Sequence, residues 1–356
     1  MSKKTIVVGL SGGVDSSVAA ALLKEQGHNV IGATMAIWDN NPKVKATGNA
    51  CYGPDEKEDI AEAQRVCKLL DIPYHVFDLK EDYKTYVLDY FSREYKQGRT
   101  PNPCVMCNKT MKFGTLVQAI RSNGIEFDYF ATGHYARVEF DNKSKRYLLK
   151  KAQDRNKDQT YFIYGLTQEQ LATSMFPLGG MEKPEVKALS KKYGLGLEDK
   201  AESQNFVSGD YATVLDHTPK PGTIVDKSGR ILGQHKGISL YTVGQRKGLG
   251  LAVDEPLFVL AINAKENQLI VGPLDDTYSS EYNVSNLFLS SIASLKEPTK
   301  VTAMMRYRQA ETEAIIHPLD DGRARVELAA PKPAITPGQA AVFYQGNTIL
   351  GGGIID

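Results

Sequence analysis

The string Ser11-Gly-Gly-Val-Asp-Ser-Ser17 restricts the fold of this chain more than any other feature. It follows a short apolar, β-branched run from Thr5 to Leu10 and precedes an Ala/Leu-rich segment that ends near Gly27. Glycines between a strand and a helix let backbone N–H groups approach a polyphosphate, and the helix N-terminus favours an anion. The string has neither the Gly-Lys-Ser/Thr of a Walker A loop nor the G-x-G-x-x-G turn of dinucleotide-binding folds. It therefore predicts a phosphate loop of another kind in an α/β domain.

Strand and helix patterns alternate from the N-terminus to residue 132, which is typical of an α/β domain with a parallel sheet. After the first strand and helix, the pattern predicts strands at 30–38, 74–79 and 128–132, helices at 55–71, 81–97 and 109–122, and a loop at 98–108. A hairpin is expected at 222–233. From residue 283 onward short strands, broken at 320–322 and 331–333, predict a small β-barrel. We expect domains at 1–205, 206–280 and 281–356.

Composition excludes several classes of protein. The 43 Lys and Arg nearly balance the 42 Asp and Glu, so no whole-molecule charge attracts nucleic acid, although a local basic face can still do so. Four cysteines in 356 residues are too few for a secreted disulfide scaffold. No run of ~18 apolar residues is present to span a membrane. The basic start leads directly into a strand pattern without a signal-peptide core, so we expect a cytoplasmic protein with no membrane contact.

The phosphate-loop string resembles the signature of the PP-loop ATP pyrophosphatases, whose N-terminal domain is of the adenine nucleotide alpha hydrolase-like type. That resemblance implies cleavage of ATP between its α- and β-phosphates and adenylation of a carbonyl oxygen. Further strings are similar to those of the tRNA-specific 2-thiouridylase family, in chain order and over essentially the whole length. They are Thr100-Pro-Asn-Pro-Cys-Val-Met-Cys-Asn-Lys109, Ala131-Thr-Gly-His-Tyr-Ala-Arg137, Lys157-Asp-Gln-Thr-Tyr-Phe162, Tyr241-Thr-Val-Gly-Gln-Arg-Lys-Gly-Leu-Gly250, Arg306-Tyr-Arg-Gln309, Pro337-Gly-Gln-Ala-Ala-Val-Phe-Tyr344 and Leu350-Gly-Gly-Gly-Ile-Ile355.

The family resemblance implies an activity and a domain plan. The activity is ATP-dependent 2-thiolation of the wobble uridine of tRNA, through adenylation of the C2 carbonyl oxygen and sulfur transfer, with release of pyrophosphate and AMP. The plan is a PP-loop domain, a small central adaptor and a C-terminal β-barrel, the last two helping to hold the tRNA anticodon arm.

Site residues are carried over from the matching strings. ATP is expected to contact Gly9, Leu10, Ser11, Gly12, Gly13, Val14, Asp15, Ser16, Met35 and Gly133. Asp15 is also expected to hold Mg²⁺ on the phosphates. The target uridine is expected at Asn102, Pro103 and Cys104, and other tRNA contacts at His134, Lys157, Asp158, Gln159, Arg306, Tyr307 and Gln339. Arg and Lys suit phosphate contacts, and tyrosine can stack on an unpaired base.

Cys107 occupies the nucleophile position of the family. Because a thiol attacks only when ionised, we expect Lys109 and Lys112 to promote its ionisation.

The chain departs from the family pattern in two places. Cys104 stands where the family most often has an aspartate with acid/base work, and the stretch from Lys200 has Asn205 where a second cysteine is usual. The common relay of persulfide sulfur between two distant cysteines is therefore unavailable.

Two sulfur routes stay open. In the first, Cys51, Cys104 and Cys107 hold an iron–sulfur cluster with one open iron. In the second, the Cys104-Val-Met-Cys107 pair exchanges persulfide and disulfide. A donor protein or hydrosulfide would supply the sulfur, and Cys67 is expected in the core. Two other functions stay open as well: another PP-loop tRNA-modifying enzyme, such as a 4-thiouridine synthetase, and a tRNA-binding protein without thiolase activity.

Overall fold

The computed structural model describes residues 2–46, 50–201, 205–253 and 255–356. The chain forms two compact units. The first comprises residues 1–87, 104–214 and 347–349, and the second comprises residues 88–103, 215–346 and 350–356.

A five-stranded parallel sheet lies at the centre of the first unit. In spatial order its strands are β4 (Tyr74–Asp78), β2 (Asn29–Ala36), β1 (Thr5–Gly9), β5 (Tyr129–Thr132) and β8 (Ser174–Met175). Ile6, Val7 and Val8 are fully buried, as a central strand of such a sheet requires. The predicted α/β fold with a parallel sheet is confirmed.

The helices of the first unit follow the predicted alternation. They are α1 (Val14–Glu25), α2 (Glu56–Leu69), α3 (Lys80–Tyr83), and, farther along the chain, α6 (Leu116–Ser122), α7 (Thr160–Ile163), α8 (Gln168–Ala172) and α9 (Lys183–Lys192). The single helix predicted at 81–97 is instead α3, a π-helical segment Lys84–Leu88 and α4 (Asp89–Lys96), of which α4 belongs to the second unit.

The loop predicted at 98–108 is wrong in its second half. The chain becomes helical at α5 (Pro103–Met106) and continues as a π-helix over Cys107–Thr115 before α6. Pro103 suits a first helical position, because its missing N–H would have no partner inside the helix there. Both cysteines of the C-x-x-C string therefore lie on a helix.

Two small strand pairs complete the first unit. Strands β3 (Ala50–Tyr52) and β9 (Asn205–Val207) pair in parallel, and β6 (Ala136–Asp141) and β7 (Arg146–Lys151) form an antiparallel hairpin.

The second unit holds a four-stranded sheet and a closed barrel. The sheet contains β11 (Ile231–His235), β10 (Gly222–Asp226), β13 (Gln268–Gly272) and β12 (Phe258–Asn263), so the hairpin predicted at 222–233 is confirmed. The barrel contains β14 (Tyr278–Leu289), β17 (Ala324–Pro333), β16 (Thr312–Pro318), β15 (Thr299–Met304), β18 (Ala340–Gln345) and β19 (Thr348–Ile355), and it closes through a β14–β19 pairing.

The predicted C-terminal barrel is confirmed, and residues 331–333, where a break was predicted, are the last three residues of β17. Pro333 and Lys332 still pair with Tyr278 and Ser279, beyond a register shift that leaves extra residues on β17. Such a shift suits proline, which cannot donate to a strand ladder. No helix among the described residues is both long and apolar enough to cross a membrane.

Candidate active site

The phosphate loop runs from the end of β1 into the first turn of α1. The Ser11 N–H donates to Ser16 Oγ at 3.3 Å, and the Ser17 hydroxyl donates to the Gly13 carbonyl at 2.9 Å. Gly12 has φ +70°, and a Cβ at this position would lie 2.5 Å from the Asp59 carbonyl oxygen. Because Gly13 is the N-cap and carries no side chain, the first N–H groups of α1 have no side-chain cap. The loop is thus tightly folded and presents a helix N-terminus suited to a phosphate.

Asp15 forms a partly buried ion pair inside the first unit. Lys183 Nζ lies 2.7 Å from its Oδ1 and 2.8 Å from its Oδ2, and the Tyr135 hydroxyl donates to Oδ1 at 3.0 Å. Lys183 is only 8% exposed. In this arrangement Lys183 binds both carboxylate oxygens of Asp15, and the contact of Asp15 with Mg²⁺ stays a prediction.

Two further contacts shape the phosphate loop. Lys200 Nζ donates to the Gly12 carbonyl at 3.0 Å and pairs with Asp59 at 2.8 Å. A Cβ at Gly133, just beyond β5, would lie 2.5 Å from the Ser16 nitrogen, so only glycine allows this approach. Two lysine side chains, those of Lys183 and Lys200, therefore contact the phosphate loop, although the string at residues 11–17 itself contains no basic residue.

The other predicted ATP residues lie at or near the same sheet edge. The Leu10 N–H donates to Ala33 O at 2.8 Å, which joins the start of the loop to β2. Leu10 and Val14 are each 4% exposed, so only their backbone can reach a nucleotide. Met35 lies on β2 opposite Phe77, partly buried.

Cys104 lies in α5, and Cys107 is the first residue of the π-helix. Hydrogen bonds in a π-helix join residues five apart, so residue i+5 takes the place that i+4 has in an α-helix. Lys112 therefore lies one turn from Cys107, on the same face. The Asn108 amide donates to the Cys104 carbonyl at 3.0 Å and joins the two turns.

Cys51 lies on a different strand from the position at which the family resemblance implies a second cysteine. It is the central residue of β3, and β3 pairs with β9 so that Ala50 lies opposite Asn205. Asn205 is the residue that stands where a second cysteine is usual. The chain thus carries a thiol on the strand beside the expected one.

The three thiols share one electrostatic environment. Burial, followed by the neighbouring Cys51 and Cys107, raises the pKa of Cys104 to about 12. Burial raises the pKa of Cys107 to about 11, although Lys112 lowers it. Burial also raises the pKa of Cys51, against Lys112. Cys51 as a residue is exposed, whereas Cys104 and Cys107 are partly buried.

A lysine that favours ionisation of Cys107 is therefore present, but it does not offset burial in the free protein. Lys112 acts in the expected direction, but burial outweighs it. Lys109 is not among the groups that shift this pKa; its side chain instead lies along Gly165.

The iron–sulfur cluster predicted at Cys51, Cys104 and Cys107 stays a prediction. Among the described residues, no three His, Cys, Asp or Glu side chains are arranged to hold one metal ion. In a cluster each thiolate binds a different iron, so the sulfurs need not converge on one point. Cys67 is 1% exposed on α2, as predicted for a core residue.

Most of the tRNA residues predicted in the first unit are engaged within the protein. His134 is 8% exposed and shares a 2.7 Å hydrogen bond with Thr132; burial holds its pKa well below the ordinary range. The Tyr135 N–H donates to Gln159 Oε1 at 3.0 Å, and the Ala152 N–H donates to Asp158 at 2.7 Å. The tRNA contacts of His134 and Asp158 stay predictions; in this conformation both side chains bind within the protein.

Lys157 and two residues of the second unit fit the tRNA expectation better. Lys157 is partly exposed. Arg306 and Tyr307 line a cavity of about 250 Å³, and the Arg308 guanidinium lies 5.6 Å from the centre of the Tyr307 ring. Basic and aromatic groups in one cavity suit an RNA phosphate or an unstacked base.

Gln339 has a structural role that the sequence did not indicate. It is 8% exposed, and its amide donates to the carbonyls of Thr100 at 2.8 Å and Pro101 at 3.2 Å. It therefore holds the backbone just before Asn102. A direct tRNA contact through this side chain is not available in this conformation.

Sequence reasoning missed Lys183, Lys200 and Tyr135. Lys200 lies five residues before Asn205, where the family resemblance implies a second cysteine. Tyr135 lies in the string Ala131-Thr-Gly-His-Tyr-Ala-Arg137, which contributes to the family resemblance. Lys183 had no signal of its own, because a lysine in the first turn of a short helix is ordinarily a surface residue.

Three family models match the chain in order. They are described as a tRNA methyl transferase HUP domain at residues 4–208, a tRNA methyl transferase PRC-barrel domain at 213–273 and an aminomethyltransferase beta-barrel domain at 280–355. A solved structure of a 4-thiouridine synthetase–RNA complex with bound ATP aligns with 58% of this chain and 47% of its own, at TM-score 0.33 and 17% identity.

Relatives of full length match over almost the whole chain. The tRNA-specific 2-thiouridylase MnmA of Endomicrobium trichonymphae is 48% identical over 355 residues, with 98% of each chain covered. The protein of the same name from Acetivibrio thermocellus is 46% identical over 363 residues, with both chains fully covered. The resemblance inferred from the sequence strings is thereby confirmed. The chain belongs to the tRNA-specific 2-thiouridylase family.

Proposed function

We propose that this chain is an ATP-dependent tRNA-uridine 2-sulfurtransferase that acts on the wobble uridine. One observation supports the proposal most strongly. The first unit holds both a phosphate loop and three thiols, and all three thiols interact electrostatically with Lys112. A protein that only binds tRNA would need neither group. Residues 1–205, 206–280 and 281–356 are proposed as the ATP, adaptor and barrel domains, and the cytoplasm as the compartment.

The first chemical step activates the uridine. The C2 carbonyl oxygen attacks the α-phosphorus of ATP, the bond to the bridging oxygen of the β-phosphate breaks, and pyrophosphate leaves. The N-terminus of α1 and the loop N–H groups would bind the phosphates, with Lys200 beside them. Mg²⁺ is proposed to accompany ATP; in the described arrangement it would reach Asp15 only if Lys183 gave up an oxygen.

The second step replaces the activated oxygen with sulfur. A sulfur nucleophile attacks C2, the C2–O bond breaks, and AMP leaves with the electron pair. With hydrosulfide the step is redox-neutral, and one proton is released. With a persulfide on Cys107, a Cys104 thiolate must then attack the Cys107 sulfur, which leaves a disulfide that an external thiol has to reduce.

We favour Cys51, Cys104 and Cys107 as ligands of an iron–sulfur cluster. The electrostatic interactions among the three thiols support this, because such interactions require the three side chains to lie near one another. When bound, such a cluster supplies ionised sulfur ligands and an open iron position for the sulfur to be delivered. The exchange between Cys104 and Cys107 is the alternative.

The activity is tested by mass spectrometry of tRNA nucleosides from a strain lacking this gene. Loss of 2-thiouridine, restored by the intact gene, supports the proposal. Loss of 4-thiouridine or of a methylated uridine would point to another tRNA-modifying enzyme, and an unchanged profile would point to a tRNA-binding protein without this activity.

The sulfur route is tested on protein purified and reconstituted without oxygen. A cluster predicts a brown protein with comparable iron and sulfide, and loss of both colour and thiolation in the Ser variants of Cys51, Cys104 and Cys107 separately. Cys67→Ser is the matched control and should keep both, with only modest loss of stability. Iron-free protein that still thiolates tRNA with a persulfide donor would contradict the cluster.

A further inference from the structure

The ion pair at Asp15 continues into a hydrogen-bonded path across the first unit. Its two partners, Tyr135 and Lys183, are 1% and 8% exposed. Both bind the same carboxylate: the hydroxyl of Tyr135 at 3.0 Å and the ammonium of Lys183 at 2.7 Å. A buried ammonium paired in this way is strongly held, because leaving either charge without the other is costly.

The other end of each partner is bonded to one loop, residues 154–159. The Tyr135 N–H donates to Gln159 Oε1 at 3.0 Å, and the Gln159 N–H donates back to the Tyr135 carbonyl at 3.0 Å. The Lys183 N–H donates to Asp154 Oδ2, also at 3.0 Å. Asp154 is 6% exposed and also accepts from the Asn156 N–H at 3.0 Å. Two separate paths therefore join the 154–159 loop to the same residue of the phosphate loop.

This loop contains Lys157, which is partly exposed and is predicted to contact tRNA, together with Asp158 and Gln159. Asp158 and Gln159 use their side chains inside the protein, so they fix the shape of the loop around Lys157. A displacement of the loop on binding RNA would move the backbone of Tyr135 and Lys183. Asp15 would then be repositioned or released, because its partners are carried by those two backbones.

We propose that Tyr135 and Lys183 are positioning residues that couple the 154–159 loop to the phosphate loop, so that tRNA bound at the loop changes the affinity of the site for ATP. The inference rests on the proposed function and on the contact with tRNA that is predicted for Lys157 in this loop. Coupling of this kind is reciprocal, since ATP must change tRNA affinity by the same factor.

The test uses Tyr135→Phe, which removes one hydroxyl and keeps the ring. The dissociation constant of an α,β-methylene ATP analogue is measured on the full chain, with and without an unmodified tRNA transcript. For the wild type we expect tRNA to change this constant by a factor of about 5 to 150. In Tyr135→Phe the factor should fall toward one, while the constant without tRNA changes by less than about threefold. The reciprocal measurement, tRNA affinity with and without the analogue, should give the same factors.

Tyr193→Phe is the matched control. Its hydroxyl also donates to a carboxylate, that of Glu25, but it has no part in the path to Asp15. This variant should keep the coupling factor of the wild type. Lys183→Met is the second test variant and should also lose the coupling.

Several results would overturn the proposal. One is a wild-type factor of one, and another is a wild-type factor retained in Tyr135→Phe or Lys183→Met. If both variants fail to fold, as judged by circular dichroism and thermal melting, the two residues are structural and the proposal also fails. Formation of 2-thiouridine by the wild type is measured in parallel, so that a failure of the proposed function is seen separately.

Discussion

Replacing Lys112 with glutamine should make the Cys107 thiol harder to ionise. In the free protein burial raises the pKa of this thiol to about 11 from an ordinary value of 9.0, while Lys112 opposes the rise. At pH 8 a thiol with a pKa near 11 is about 0.1% ionised, against about 9% for a pKa of 9, so its reaction with iodoacetamide should be about 100-fold slower. Without the ammonium of Lys112 the rate should fall further at every pH.

The assay follows alkylation of Cys107 by peptide mass spectrometry between pH 7 and 10, in metal-free protein. The rate constant should rise about tenfold per pH unit over this range, because only the thiolate reacts. Lys109→Gln is the matched control on the same π-helix and should leave the profile unchanged. A plateau below pH 9 would refute the assigned burial effect. A Lys112→Gln profile identical to that of the wild type would refute the interaction between Lys112 and Cys107.

Three other outcomes are expected. Gly12→Ala should abolish ATP binding or weaken it severely, because its Cβ would lie 2.5 Å from the Asp59 carbonyl at φ +70°; isothermal titration with the ATP analogue checks this. Gln339→Leu should lower the free energy of unfolding by about 1–3 kcal/mol, since the buried carbonyls of Thr100 and Pro101 lose their donor; an unchanged denaturant midpoint would contradict it. Lys157→Ala should weaken tRNA binding and reduce the slope of log affinity against log salt by about one, as a phosphate contact requires.

Local patterns were sufficient for the architecture of the first unit. Buried β-branched strands such as Ile6–Val8 and the glycine-rich string after them are short-range signals, and they placed the sheet and the phosphate loop correctly. The helix that begins at Pro103 was misplaced, because two prolines and an asparagine in sequence are typical of a loop. A helix can nevertheless start at proline when the preceding segment is held elsewhere, here by Gln339.

The parts of the site that could not be predicted depend on distant residues. No pattern around Lys183 indicates a buried partner 168 positions away, and no pattern around Gln339 indicates that its amide is consumed by the backbone at 100–101. The ionisation of Cys107 could not be predicted for a related reason. The prediction used only lysines that are close to Cys107 in sequence. The direction in which its pKa shifts is decided by burial, and burial depends on tertiary packing.

The parallel pairing of β3 with β9 bears on how reactive cysteines are compared between chains. Adjacent strands lie about 4.8 Å apart, so positions 205 and 51 are separated by more than 150 residues of sequence and by only about one strand spacing between their backbones; their side chains leave opposite faces of the pair, because Ala50 is the residue opposite Asn205. A sequence alignment shows the separation along the chain and does not show the distance between the strands. The absence of a cysteine from one position of a sequence alignment is therefore poor evidence that the site has lost a thiol. The cysteines of such a site have to be counted on the neighbouring strands as well.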